Sequence, residues 1–289
     1  MNGAMIHYYF YKDVLDKLDN EIKEKMDFNE SLLFNYANFN SSPTFFKLFN
    51  FFKIDKYGMQ NNFDGVNFNN FIVDCAVVLN KENKFNQLQF LYGMMAYRIL
   101  NDYLYPFINT LKSNDYSFNI ALNMIDFYFA KRNGFDVTKE SIYEKFPDSF
   151  IYYDYMDELI RFPLVKNFKL MSSESYFKRC YKKKKKFYKR FAKVKYKAFL
   201  LSFYSLFYRR HKILPKEFPY RKKIDTNLLN IKKAYFKIGE FEYNYTIDEL
   251  VNKALKDAVN KIKALNSYLF DNNENKFRKE FNIPEEKKI

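Results

Sequence analysis

The sequence predicts an all-α fold in a single multi-helix domain, and three observations carry that reading. Apolar residues recur at the three-and-four spacing of an amphipathic helix through most of the 289 residues. Six glycines and seven prolines leave little material for a turn-rich β architecture. With 48% hydrophobic and 21% aromatic residues, the chain can bury one sizeable core.

The elements follow in order. Residues 5–26 read as a first helix, with Ile6, Tyr9, Val14, Leu18 and Ile22 on its inner side. Residues 38–43 form a polar connection. Residues 63–79 and 84–108 are expected to be helical, the second with Leu88, Leu91, Met95, Ile99 and Leu100 facing inward. Pro106 is expected to end or bend it, because proline removes a backbone donor and crowds the preceding turn. Residues 116–132 continue the bundle, and Asn133-Gly134 supplies a left-handed terminus. Thr138, Glu140 and Ser141 open a short helix, and residues 148–160 form another before Phe162-Pro163 breaks the pattern. A basic helix spans about 173–208, a loop with Pro215 and Pro219 follows, and residues 237–245 are the one extended segment. Thr246, with Glu249 three residues on, makes a capping box for a last helix through Leu269. The domain is drawn at 1–271, leaving 272–289 as a charged, frayed tail.

The net charge of +15 has a location. Residues 175–216 hold sixteen Lys or Arg and no Asp or Glu, so the remaining 33 basic and 34 acidic residues nearly cancel. Within the stretch, Phe177, Tyr181, Tyr188 and Phe191 fall near one helix face, continued by Val194, Ala198 and Leu201. The expected anion-binding residues are Lys178, Arg179, Lys182, Lys183, Lys184, Lys185, Lys186, Lys189 and Arg190. A Lys-rich face can serve only to keep a helix solvated. An uncompensated one repels itself unless something anionic meets it. Anionic lipid headgroups, nucleic acid and an acidic protein surface all fit. The interleaved aromatics suit an interfacial helix, and no zinc-finger, RNP, K-homology or helix-turn-helix signature points to nucleic acid.

One helical segment carries a second signal. Tyr97, Asn101 and Tyr105 stand at i, i+4 and i+8, stacked on one helix face between Gly93 and Pro106. His, Asp and His there would make a metal site on a rigid element; two phenols and an amide are poor zinc ligands. The segment nevertheless resembles the central helix of the zinc-dependent phospholipase C family, which has a G-x-x-x-H-x-x-x-D-x-x-x-H-P-like pattern. Other stretches are similar to the family's bacterial branch: the opening around His7, Ser42-Pro43-Thr44-Phe45-Phe46, Gly58-Met59-Gln60, and the turn before residue 246. The resemblance implies an all-helical fold and metal ligands at His7, Thr44, Gln60, Tyr97, Asn101, Tyr105, Phe118 and Leu122. Only His7 keeps a ligand's residue type there, so the resemblance implies a degenerate member with neither metal nor cofactor, in which metal-activated attack on a phosphodiester is lost. If the fold is kept, His7 shares a cleft with Tyr97 and Asn101, where hydrogen bonds take over from coordination.

Other chemistries find little. His211 lies among Arg209, Arg210 and Lys212, which disfavour its protonation. No Gly-rich phosphate loop or nucleophile elbow is visible. Asp102 and Asp126 flank the degenerate site and read as structural, although a divergent phosphodiesterase would have to use them with His7. Cys75 and Cys180 show no disulfide or metal-knuckle pattern, and Cys75 sits in an apolar run. No signal-peptide core and no membrane span are apparent, which gives a cytoplasmic expectation, peripheral at a membrane if lipid is the partner.

Overall fold

A computed structural model describes residues 3–40, 68–82, 85–112, 118–136, 140–147, 152–168, 176–192, 234–238 and 241–283. Their helices are α1 (Ala4–Asp16), α2 (Asn20–Lys25), α3 (Leu33–Ala37), α4 (Phe68–Glu82), α5 (Leu88–Lys112), α6 (Phe118–Arg132), α7 (Tyr152–Phe168), α8 (Tyr176–Ala192), α9 (Ile247–Asp271) and α10 (Glu274–Phe281). Three 3-10 turns, Glu30–Leu32, Phe85–Gln87 and Ile142–Lys145, precede α3, α5 and α7. The protein is predominantly helical, as the periodicity predicts. Its extended segment is an antiparallel hairpin of β1 (Ala234–Ile238) and β2 (Phe241–Tyr245), in register Ala234 to Tyr245 and Ile238 to Phe241.

α5 is the centre of the bundle, packed by α1, α3, α6 and α9. All five expected inward residues are buried, together with Phe90, Tyr92, Ala96, Leu104 and Phe107, because neighbours cover more than one side of this helix. Gly93 marks its closest approach. A Cβ there would stand 2.7 Å from the Tyr36 backbone carbonyl, so only glycine lets α3 lie against α5. α9 packs along α5 through Leu250, Ala254, Ala258, Ile262 and Leu265, a buried row at helical spacing. Its start carries the expected capping box: Thr246 Oγ1 accepts from Glu249 N at 3.1 Å, and Glu249 Oε2 accepts from Thr246 N at 2.8 Å. Gly134 closes α6 at φ +77°, with Phe135 N donating to Ala130 O at 2.9 Å.

Five expectations need correction. The first helix is two, because Asp19 adopts an extended N-cap conformation and starts α2 anew while its carboxylate pairs with Lys263 of α9 at 2.8 Å. Pro106 does not end α5, which runs on to Lys112 with Phe107 and Ile108 buried beyond the proline. Pro163 lies inside α7, whose following turn is tied to α4. Lys166 Nζ and Asn167 Nδ2 each donate at 2.7 Å to the buried Asp74 carboxylate, and Asn167 also donates to Pro163 O at 3.0 Å. The polar connection is buried where it is described: Asn38 Nδ2 donates to Phe34 O at 3.0 Å and to Ala4 O at 3.1 Å. The tail is not frayed, since α10 folds back on α9 and buries Phe277, Phe281 and Ile283 in the same core. The basic helix is described as α8; residues 193–208 lie outside the described set.

Candidate functional site

Two constellations deserve to be built up from their residues: the degenerate metal positions, and the cationic helix that packs beside them. The first sits where α1, α5 and α6 meet. α1 begins at Gly3, whose lack of a side chain leaves the first-turn amides uncapped from within. Asp126 of α6 supplies the cap from across the fold, its Oδ1 accepting from Met5 N at 2.8 Å and Ile6 N at 2.7 Å. A Cβ at Gly3 would stand 3.0 Å from that oxygen, so the glycine makes room for the carboxylate. A helix N-terminus stabilises a buried carboxylate well.

His7 lies one turn further along α1, 1% exposed, with its ring stacked on Tyr97 of α5 at a centroid separation of 4.0 Å and an interplanar angle of 27°. Asn101, one turn along α5 from Tyr97, is fully buried. The expected convergence of His7 and Tyr97 is therefore present, but its chemistry differs from the expectation. Neither His7 nitrogen, nor the Asn101 amide nitrogen or oxygen, has a hydrogen-bond partner among the described residues. Ring stacking, rather than hydrogen bonding, holds His7. Burial pushes its pKa well below the usual histidine value, and the positive charges of the chain's amino terminus and Lys184 push it the same way. The imidazole is neutral at neutral pH.

The remaining degenerate positions do not add donors. Tyr105 is half-buried against the core, and Leu122 is fully buried and apolar. Phe118 opens α6, but its side chain lies outside the described residues, as do Thr44, Gln60 and His211. Asp102 turns outward and pairs with Arg98 at 2.8 Å, while Asp126 caps α1, so these carboxylates do not join His7 in one site. Among the described residues no three His, Cys, Asp or Glu side chains cluster in a way that would hold a metal ion. One imidazole stacked on a phenol beside an amide does not fit zinc, which takes three or four convergent, deprotonated ligands.

The second constellation is α8. Cys180, Tyr181, Phe187 and Tyr188 are buried, and Phe146 receives the rings of Tyr181 and Tyr188 at 5.9 and 5.2 Å. The Tyr181 hydroxyl donates to Pro147 O at 3.3 Å and accepts from Asn35 Nδ2 at 3.2 Å. Opposite this seam, Arg179, Lys182, Lys186 and Lys189 are exposed at i, i+3, i+7 and i+10, one stripe along the helix. Lys178, Lys183 and Lys185 flank the stripe half-buried. The Arg190 side chain lies outside the described residues.

Lys184 is a correction to the expected anion-binding set. It is 2% exposed and donates from Nζ to Asn38 O at 2.8 Å. Lys185 is turned partly inward as well, donating to Pro147 O at 2.6 Å. The sequence held the signal for Lys184, which stands four residues from both Cys180 and Tyr188 and three from both Tyr181 and Phe187, on the apolar side. Asn38 in turn donates to Ala4 O, so a short chain of hydrogen bonds links the cationic helix to the turn of α1 that carries His7. The roles of Asp126 as a remote cap and Lys184 as an anchor were not assigned from the sequence.

Cys75 and Cys180 are both buried free thiols, and burial pushes the Cys75 thiol pKa well up, as fits a core residue. Among the described residues no helix is long and apolar enough to cross a membrane. In comparison with known proteins, the chain matches no family model, no curated protein and no solved structure.

Proposed function

We propose that this protein is a phospholipase C-like binding module without catalytic activity, which engages an anionic membrane surface through α8. The exposed stripe of Arg179, Lys182, Lys186 and Lys189 carries the reading: four cations share one face of a helix whose other face is locked into the core. A helix fixed in this way presents its charge without rearrangement. The residue types around His7 support the loss of catalysis, since a neutral, stacked imidazole and an amide offer no route to a metal-activated water. The kinship with phospholipase C remains a resemblance in sequence pattern, and it favours lipid over other polyanions.

The test reverses the stripe. Arg179, Lys182, Lys186 and Lys189 are replaced together by Glu, leaving Lys184 and Lys185 in their inward hydrogen bonds. Cosedimentation with phosphatidylserine vesicles should show binding by the parent and its collapse in the variant, at about 1 kcal/mol for each basic residue near the surface. Parent binding should weaken steeply as salt shortens the screening length. Binding to RNA or DNA with a linear log-log salt dependence, without vesicle binding, would transfer the stripe to a nucleic-acid role. Binding to neither leaves an acidic protein as the partner to seek.

A further inference from the structure

On the side of α5 served by α9 and the hairpin, a cavity of about 420 Å³ opens between Tyr103 of α5, Tyr245 at the end of β2, and the outer face of α9. Its size is that of a pocket for a small molecule. Lys253, Lys256, Asp257 and Asn260 line it from α9 at i, i+3, i+4 and i+7, so all four share one helix face. Asp257 is drawn off by Lys261, whose Nζ stands 3.4 Å from Oδ2. Lys253 and Lys256 therefore dominate the charge of the lining. Lys253 is held over the Tyr245 ring, its Nζ 3.6 Å from the ring centroid, which fixes one ammonium at the aromatic wall.

The geometry points to a binding site for a small phosphorylated molecule with a flat ring, of the nucleoside monophosphate class. The two ammonium groups, one turn apart, match the charge of a phosphomonoester, which is close to a dianion at neutral pH. Tyr103 and Tyr245 supply aromatic surface beside them for the ring. Asn260 stands two turns from Lys253, about 10 Å along the helix, where its amide can donate to and accept from the polar edge of a base. This site is separate from the cationic stripe of α8 and does not depend on the membrane reading.

The probe is AMP, titrated calorimetrically into the full chain, with adenosine and inorganic phosphate as partial ligands. AMP should bind at least tenfold more tightly than either part. Lys253→Ala and Lys256→Ala should each weaken AMP at least tenfold while leaving the melting temperature unchanged, as expected for exposed side chains. The Glu variant of the α8 stripe should bind AMP as the parent does. Absence of AMP binding at millimolar concentration overturns the proposal, as does binding that survives both α9 substitutions or disappears with the α8 stripe. Phosphate binding as tightly as AMP overturns the assignment of the aromatic walls.

Discussion

His7 shows how a single residue can be placed correctly by the sequence and still be misread in its chemistry. The pairing with Tyr97 follows from the periodicity of two helices together with the resemblance, but what the ring nitrogens meet depends on atoms from α1, α5 and α6 at once. Two consequences are measurable by urea denaturation. Because the folded pKa is depressed below the unfolded value of about 6.5, the unfolded state takes up the proton first. The stability contributed by neutral His7 is complete above about pH 6.5 and is lost as pH falls towards the folded pKa. Between pH 7.5 and 5.5 the parent should lose about 1.4 kcal/mol that His7→Phe does not lose. At pH 7.5 His7→Phe should be as stable as the parent, or more stable by up to about 2 kcal/mol, because it keeps the stack and removes two buried nitrogens. Asp126→Ala should cost about 3 kcal/mol, since it strips two charge-assisted hydrogen bonds from the first turn of α1. On the proposed reading, protein purified without added zinc should contain far less than one equivalent and keep its melting temperature in chelator. A structural zinc would contribute on the order of 10 kcal/mol, so a chelator-induced drop would overturn the inactive assignment.

At the scale of elements, capping chemistry was the most legible feature and proline the most misleading. Thr246 with Glu249, and Asn133 with Gly134, act through neighbours a few residues away, so the local sequence contains the whole interaction. Pro106 and Pro163 remove one donor each, a local cost that packing beyond the proline overrides; in α7 the override runs through Asp74 on a different helix. The contact between α3 and α5 is likewise invisible to periodicity. It predicts that Gly93→Ala will be destabilising by about 1–3 kcal/mol, because the added methyl meets the Tyr36 backbone. In α8 the same argument separates lysines that look alike in sequence. Lys184→Ala should cost about 2 kcal/mol or more in urea denaturation, through the orphaned Asn38 carbonyl and the space left behind, whereas Lys182→Ala should fall within about 0.5 kcal/mol of the parent.

At the scale of the whole molecule, one set of buried side chains runs from α1 to the segment after α10, so the tail belongs to the core that the domain boundary at 271 would have cut. A chain ending at residue 271 should lose the burial of Phe277, Phe281 and Ile283, at about 1.5–3 kcal/mol for each side chain fully buried, and should melt well below the full-length protein. The sequence by itself determined the helical class, the heptad-like seam of α8, the concentration of positive charge in one stretch and the loss of metal-binding residue types. Those features depend on composition and on spacing within single helices, which short-range geometry controls. Only the tertiary structure decided that Lys184 faces inward, that Asp126 caps a helix 120 residues away in the chain, that His7 is stacked rather than hydrogen-bonded, and that α10 closes the core. Each of these depends on desolvation by residues distant in sequence, and burial of a polar group is a property of the packed ensemble of elements that no local spacing contains.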